Sequence, residues 1–228
     1  MKRITNYITF ETFCSAYTDH IENLLNEHPS LVPYFVTKTF NPLPSEYSGF
    51  ANSVEFSFRE SARVYSHLVS RLIPNHHRRR ELQPLSIEFF DVEGTRSSFN
   101  VNLDNPSTPH VHSIMLIPKQ VEPKFLELSR DRFASITHYI SPVSETRVFP
   151  SIRSMHAEEV YQLPEVVSYS AKLLKNHRVR SQLDEINLFT QLPLSSSESL
   201  IRNEHLETIR AASVVQKALH ESNPRRRF

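Results

Sequence analysis

Glycine is nearly absent from this sequence, with only Gly49 and Gly94 among 228 residues. Loops that cradle phosphate need closely spaced glycines, so the sequence argues against P-loop nucleotide hydrolysis and against Rossmann dinucleotide binding. Cysteine is equally scarce. Because Cys14 is the single cysteine, neither a disulfide within the chain nor a cysteine zinc site can form.

The sequence also lacks an excess of charge of either sign, since the formal net charge is +1. Any affinity for nucleic acid must therefore come from local basic patches. No apolar stretch reaches the length of a membrane span, and the first residues lack the apolar region of a signal peptide. We therefore expect a cytoplasmic protein with no membrane partner. The hydrophobic share of 39% suffices for a packed core.

Helical periodicity and strand-like alternation follow one another along the chain. Helices are predicted at residues 8–27, 57–73, 121–134 and 164–176, and strands at 33–40, 85–92 and 109–117. Residues 98–103 are predicted to return as a hairpin partner of the second strand, and residues 146–156 to be extended. This order is typical of the α+β class, with an antiparallel sheet and helices packed on one of its faces.

Two basic clusters stand out. Arg78, Arg79 and Arg80 follow the second predicted helix, where they either contact DNA phosphates or form a solvated loop. The chain ends in Arg225–Arg227, after a serine-rich linker at 195–199 and a predicted amphipathic helix at 199–220.

The most informative stretch is Pro109-His110-Val111-His112, which opens an apolar run closed by Pro118. In a strand, side chains at positions i and i+2 leave from the same face, so His110 and His112 are predicted to project together. Two neutral imidazoles side by side are the beginning of a site for a divalent metal. The alternative is a pair of surface histidines on an edge strand.

Three segments in order, 35–40, 109–112 and 167–175, resemble the rolling-circle replication initiators (Rep proteins) of the HUH endonuclease superfamily. That family has a threonine-rich first strand, a His-hydrophobic-His strand and a helix bearing Tyr-x-x-Lys. The resemblance covers residues 34–176 and implies an HUH-type nuclease domain with a ferredoxin-like or RRM-like core. Residues 1–33 would add an N-terminal helix, and residues 177–228 a C-terminal helical extension with a basic tail.

The resemblance also assigns catalytic roles. Tyr169 would be the nucleophile that attacks a DNA phosphodiester and becomes linked through a 5′-phosphotyrosine. Lys172 follows three residues later on the same predicted helix, where its ammonium would favour the phenolate and offset phosphate charge. Initiators with two active tyrosines carry a second one where this sequence has Leu173, so a single nucleophile is predicted. Glu165, one turn before Tyr169, is a weak candidate for activating water.

A metal, Mg²⁺ or Mn²⁺, is implied by the same resemblance. His110 and His112 would hold it together with a carboxylate from the neighbouring strand, for which Glu88 is the candidate. Asp91 is the alternative, but it falls on the opposite face of that strand from Glu88.

Contacts to DNA are expected from basic residues, namely Arg78, Arg79, Arg80, Lys38 and Lys175. The partner would be single-stranded or hairpin origin DNA, and a host helicase would unwind it, since no helicase signature is present. The predicted activity is thus a metal-dependent, site-specific DNA endonuclease and strand transferase for a plasmid or phage-like replicon. The alternatives are a relaxase, for which His138 or His156 would supply a third histidine, a transposase, or a non-catalytic DNA-binding protein with this fold.

Overall fold

The computed structural model describes residues 9–43, 47, 49–92, 108–180 and 186–193. The helices are α1 (Phe10–Glu27), α2 (Phe50–Leu72), α3 (Glu122–Arg130), α4 (Ala134–Thr137), α5 (Leu163–Ser170) and α6 (His177–Arg180). The strands are β1 (Leu31–Phe40), β2 (Leu85–Val92), β3 (Pro109–Pro118), β4 (Ile152–Glu159) and β5 (Phe189–Leu192). The predicted hairpin strand at 98–103, the linker at 195–199, the helix at 199–220 and Arg225–Arg227 lie outside the described residues.

The five strands form one antiparallel sheet in the order β4-β1-β3-β2-β5. Helices pack against this sheet, which confirms the predicted α+β class. Strand β3 is central because it is apolar after its histidines, and every residue of it except His110 is buried. Strand β5 was not predicted, since four residues give too short an alternation to recognise.

Helices cover both faces of the sheet, whereas one covered face was predicted. Odd-numbered residues of β3, such as Val111 and Met115, belong to a core shared with α2, α3 and α4. Even-numbered residues, such as Ile114 and Leu116, belong to a second core shared with α1 and α5. We call these the α2 face and the histidine face, because His110 and His112 are even-numbered.

Several element ends differ from the prediction for local reasons. Helix α2 begins two turns early, directly after Gly49, whose φ of 93° suits glycine. The helix predicted at 121–134 ends at Arg130, because Arg132 and Phe133 take φ values of 55° and 56°. That turn places Phe133 in the core. The helix with Tyr169 ends at Ser170 and continues as a 3₁₀ turn over Lys172–Lys175.

Elements beyond residues 34–176 also belong to this fold. Phe13, Tyr17 and Ile21 of α1 share a core with Phe89 of β2. Strand β5 pairs with β2 along the outer side of the sheet. Among the described residues, no helix has the length and apolarity needed to cross a membrane.

Candidate active site

Strand register decides which side chains accompany the two histidines. His110 pairs with Thr39 of β1 and with Asp91 of β2, and His112 pairs with Thr37 and Phe89. Side chains of directly paired residues share one face of an antiparallel sheet. The histidine face therefore carries two threonines on one side of the imidazoles and Asp91 on the other.

His112 is fixed by hydrogen bonds at both ring nitrogens. Its Nε2 lies 3.2 Å from Asp91 Oδ2, and its Nδ1 lies 3.2 Å from Thr37 Oγ1. A neutral ring can donate from Nε2 to the carboxylate while Nδ1 accepts from the threonine hydroxyl. The side chain is buried. Thr37 of β1 and Asp91 of β2 thus bind the His112 ring from opposite sides.

His110 has a different environment. Its Nδ1 is buried and has no hydrogen-bond partner among the described residues. Burial lowers the pKa of His110, the nearby Asp91 opposes that effect, and His112 and Lys172 add to it. The neutral ring is therefore favoured, which leaves a nitrogen lone pair for a proton or a cation.

Asp91 is the carboxylate at the centre of this cluster. Burial alone would raise the pKa of Asp91, but the hydrogen bond with His112 and the charge of Lys172 outweigh it and lower the pKa. The Lys172 ammonium lies 2.8 Å from Asp91 Oδ2. Asp91 is therefore ionised at neutral pH and bound to two partners.

Tyr169 of α5 completes the cluster on the histidine face. Its ring centroid lies 5.2 Å from that of His112 and 5.8 Å from that of Phe35. Lys172 Nζ lies 3.9 Å from the centroid of the tyrosine ring. Although Lys172 belongs to the 3₁₀ turn and not to α5, it still reaches Tyr169. At 36% relative exposure, Tyr169 is open to a ligand from solvent.

The predicted position of Glu88 is wrong. Glu88 pairs with Ser113, an odd-numbered residue, and so lies on the α2 face, away from His110 and His112. Its partner is Lys38, which was expected to contact DNA but is 1% exposed and forms an ion pair with Glu88 inside the protein. Asp91, the alternative carboxylate, is the one beside the histidines.

The donor types at this cluster, two imidazoles and one carboxylate, fit a divalent cation. They are not gathered around one point, however. The imidazole centroids lie 6.3 Å apart, which is farther than two adjacent rings bound to one cation at metal–nitrogen distances of about 2.1 Å. Within the described part of the chain, no group of three or more His, Cys, Asp or Glu side chains is placed to hold a metal. His110, His112 and Asp91 would hold a cation only after Asp91 exchanges its present hydrogen bonds.

The other predicted site residues lie apart from this cluster. Arg78, Arg79 and Arg80 are exposed on turns that precede Leu85. Leu85, the residue of β2 nearest this loop in the chain, lies about 20 Å along the strand from Asp91. Lys175 is exposed, with its ammonium 5.0 Å from the ring centroid of Phe10.

Three residues were weaker candidates for the site, namely Glu165, His138 and His156, and they do not lie together. Glu165 is exposed in the first turn of α5. His138 ends α4, on the α2 face, and bonds Thr137. His156 pairs with Thr37 and so extends the row of His112 to β4, where it lies 3.0 Å from Glu158.

Sequence reasoning missed Thr37 as a partner of His112 and Phe35 as a ring beside Tyr169. Both lie on β1 at odd positions, and the alternation of that strand places them together. The missing information was the pairing register, which links that alternation to the histidines.

A groove of about 730 Å³ lies elsewhere, between α2 and β5. Its lining includes Val54, Phe58, Arg59 and Ala62. It contains none of the clustered residues, so we place the candidate chemistry on the histidine face.

Comparison of the chain with protein-family models, curated proteins and solved structures gives no match. Assignment to a family therefore rests on the resemblance of its motifs alone.

Proposed function

We propose that this protein nicks and rejoins single-stranded or hairpin DNA at a replication origin, with Tyr169 as the nucleophile. The observation that carries the proposal is the contact between Tyr169 and His112, at 5.2 Å between ring centroids, on the central strand. Lys172 contacts both Tyr169 and Asp91. A nucleophile, a cation and a hydrogen-bonded imidazole thus meet at one half-open place, as phosphoryl transfer requires.

The proposed reaction exchanges one phosphodiester for another. The phenol oxygen of Tyr169 bonds to phosphorus while the bond from phosphorus to the 3′ oxygen of the preceding nucleotide breaks. The phenol loses its proton and the 3′ oxygen gains one. Lys172 offsets the charge that develops on the phosphate. Because the ester retains the bond energy, attack by a 3′ hydroxyl rejoins the strand without nucleotide hydrolysis.

The β1–β4 half of the histidine face offers a place for the DNA strand. Phe35, Thr37 and Thr39 are half-buried there, and Ser154 and His156 are exposed. Hydroxyls and an aromatic ring suit a single strand, which is bound through backbone contacts and base stacking. A near-neutral protein is better suited to such contacts than to a long electrostatic interface.

Magnesium or manganese is part of the proposal through the motif resemblance. His110, His112 and Asp91 are the residues that would hold it, and when bound it would polarise the phosphate oxygens.

The test is a covalent adduct between protein and labelled single-stranded DNA, detected by denaturing electrophoresis. Tyr169→Phe should abolish the adduct and retain DNA binding, since only one oxygen is lost. Tyr161→Phe is the matched control, because Tyr161 is also exposed and its hydroxyl donates a hydrogen bond to Glu159, away from the histidines. An adduct that persists in Tyr169→Phe would place the nucleophile elsewhere.

A second candidate is a non-catalytic protein that binds single-stranded DNA on this face. The observation that favours it is Asp91, which is already bound by Lys172 and His112. Binding without an adduct, across a range of origin sequences with Mg²⁺ or Mn²⁺ present, would favour this candidate. A relaxase or transposase would form the same adduct, and its DNA substrate would distinguish it.

A further inference from the structure

A second ion pair lies directly beneath the histidine strand, on the α2 face. Lys38 of β1 and Glu88 of β2 are 1% and 0% exposed. Strands β1 and β2 are not neighbours, because β3 lies between them. The Lys38–Glu88 pair therefore reaches across β3 from one side to the other.

Ser113 of β3 connects the pair to the histidine strand. Lys38 Nζ donates to Ser113 Oγ at 3.1 Å, and Ser113 Oγ lies 3.3 Å from Glu88 Oε1. The same ammonium donates to Ser61 Oγ of α2 at 2.7 Å. The hydroxyl of β3 thus lies inside the network that joins the two flanking strands.

The network and the candidate site use adjacent residues of the same strands. Lys38 follows Thr37, Ser113 follows His112, and Glu88 precedes Phe89, the residue that pairs with His112. Any shift of β1 or β2 relative to β3 would move both networks together, because the strand backbone joins neighbouring positions rigidly.

A contribution to folding stability does not by itself explain why Lys38 and Glu88 form a buried ion pair. Buried ion pairs are often no more stabilising than apolar side chains of similar size. Glu88 Oε2 is buried and lacks a hydrogen-bond partner among the described residues, so the network is incompletely satisfied.

We infer that Lys38, Glu88 and Ser113 are positioning residues, which hold β1, β3 and β2 in register beneath His112. They keep Thr37 and Asp91 at hydrogen-bond distance from the two ring nitrogens. The link to catalysis rests on the proposed nicking function, whereas the link to His112 geometry does not.

Two serines provide a matched test, since Ser113 and Ser61 are both fully buried and both accept from Lys38. Ser113→Ala removes the side-chain hydrogen bonds that link β3 to the Lys38–Glu88 pair. Ser61→Ala removes only the bond between Lys38 and α2. We expect Ser113→Ala to lower kcat for nicking about tenfold with KM changed less than about twofold, and Ser61→Ala to leave both within about twofold. Equal effects of the two variants would overturn the inference.

The double variant Lys38→Met/Glu88→Met tests the geometry without using activity. It replaces both charges with side chains of similar length, so the fold is expected to persist. A crystal structure should show His112 separated from Thr37 or from Asp91 by more than hydrogen-bond distance. If both bonds remain, the pair has no positioning role. If the wild type forms no DNA adduct but the double variant loses these bonds, the proposed function fails and the positioning role stands.

If the double variant does not fold, the structure of Ser113→Ala supplies the same measurement. Both His112 bonds intact in that variant would also overturn the inference.

Discussion

The two faces of the sheet each carry a lysine–carboxylate pair, and the pairs differ in what surrounds them. Lys38–Glu88 is enclosed between the sheet and α2, with side-chain exposures of 1% and 0%. Lys172–Asp91 lies beside a half-exposed tyrosine, with exposures of 12% and 2%. An enclosed pair can hold strands together but cannot meet a ligand. The second pair lies beside Tyr169, which is 36% exposed, and the proposed chemistry is therefore placed on that face.

The largest expected effect concerns the enclosed pair. Glu88→Gln leaves the Lys38 ammonium buried without a carboxylate, and we expect a loss of about 3–5 kcal/mol in the free energy of unfolding. Asp91→Asn should cost about 1–2 kcal/mol, because Lys172 can turn towards water. Urea unfolding measures both. Equal losses would mean that the two environments do not differ as described.

A smaller effect is expected from pH. His67 packs on Tyr139 on the α2 side, and burial, together with the charge of Arg71, lowers the pKa of His67. Below about pH 6.5 the unfolded chain therefore binds a proton that the folded protein excludes, and stability falls as pH falls through that range. His67→Phe should reduce this dependence in thermal unfolding between pH 7.5 and 5.5, while His20 and His110, whose pKa values burial also lowers, retain their share.

An unchanged pH dependence in His67→Phe would contradict the assignment of the effect to burial of His67.

The smallest effect concerns the arginine loop at the far end of the sheet. Replacing Arg78, Arg79 and Arg80 by glutamine should lower the salt slope of binding by up to about 2 for a single strand of about sixteen nucleotides. A strand of about four nucleotides should bind unchanged, because Leu85, where β2 begins after the loop, lies about 20 Å along the strand from Asp91. An unchanged slope for the long strand would leave the loop as solvated surface, outside the interface.

Much of the fold could be predicted from periodicity. Strand β2 has the predicted bounds, and the even spacing of His110 and His112 places both on one face, as the alternation of a strand requires. Helix ends were less predictable. The end of the helix before Phe133 depends on burying that ring, which is a property of the packed core.

The candidate site was predictable in part. Tyr169 contacts His112, as the motif order suggested, whereas the ion pair of Lys172 with Asp91, formed from a 3₁₀ turn, was not predicted. Lys38 was expected to contact DNA as one of the basic residues of a protein with little net charge. The paired carboxylate that keeps Lys38 inside comes from a strand fifty residues away, which no local pattern reveals.

The sequence by itself determined that Glu88 and Asp91 point to opposite faces of β2, since they are three residues apart. It also determined that the two histidines share a face of β3. Only the tertiary structure decided which carboxylate accompanies them. A slip of one residue in the β2–β3 register would exchange the two faces of β2, and in the observed register the apolar residues of β2 pack with α1, α2 and α5.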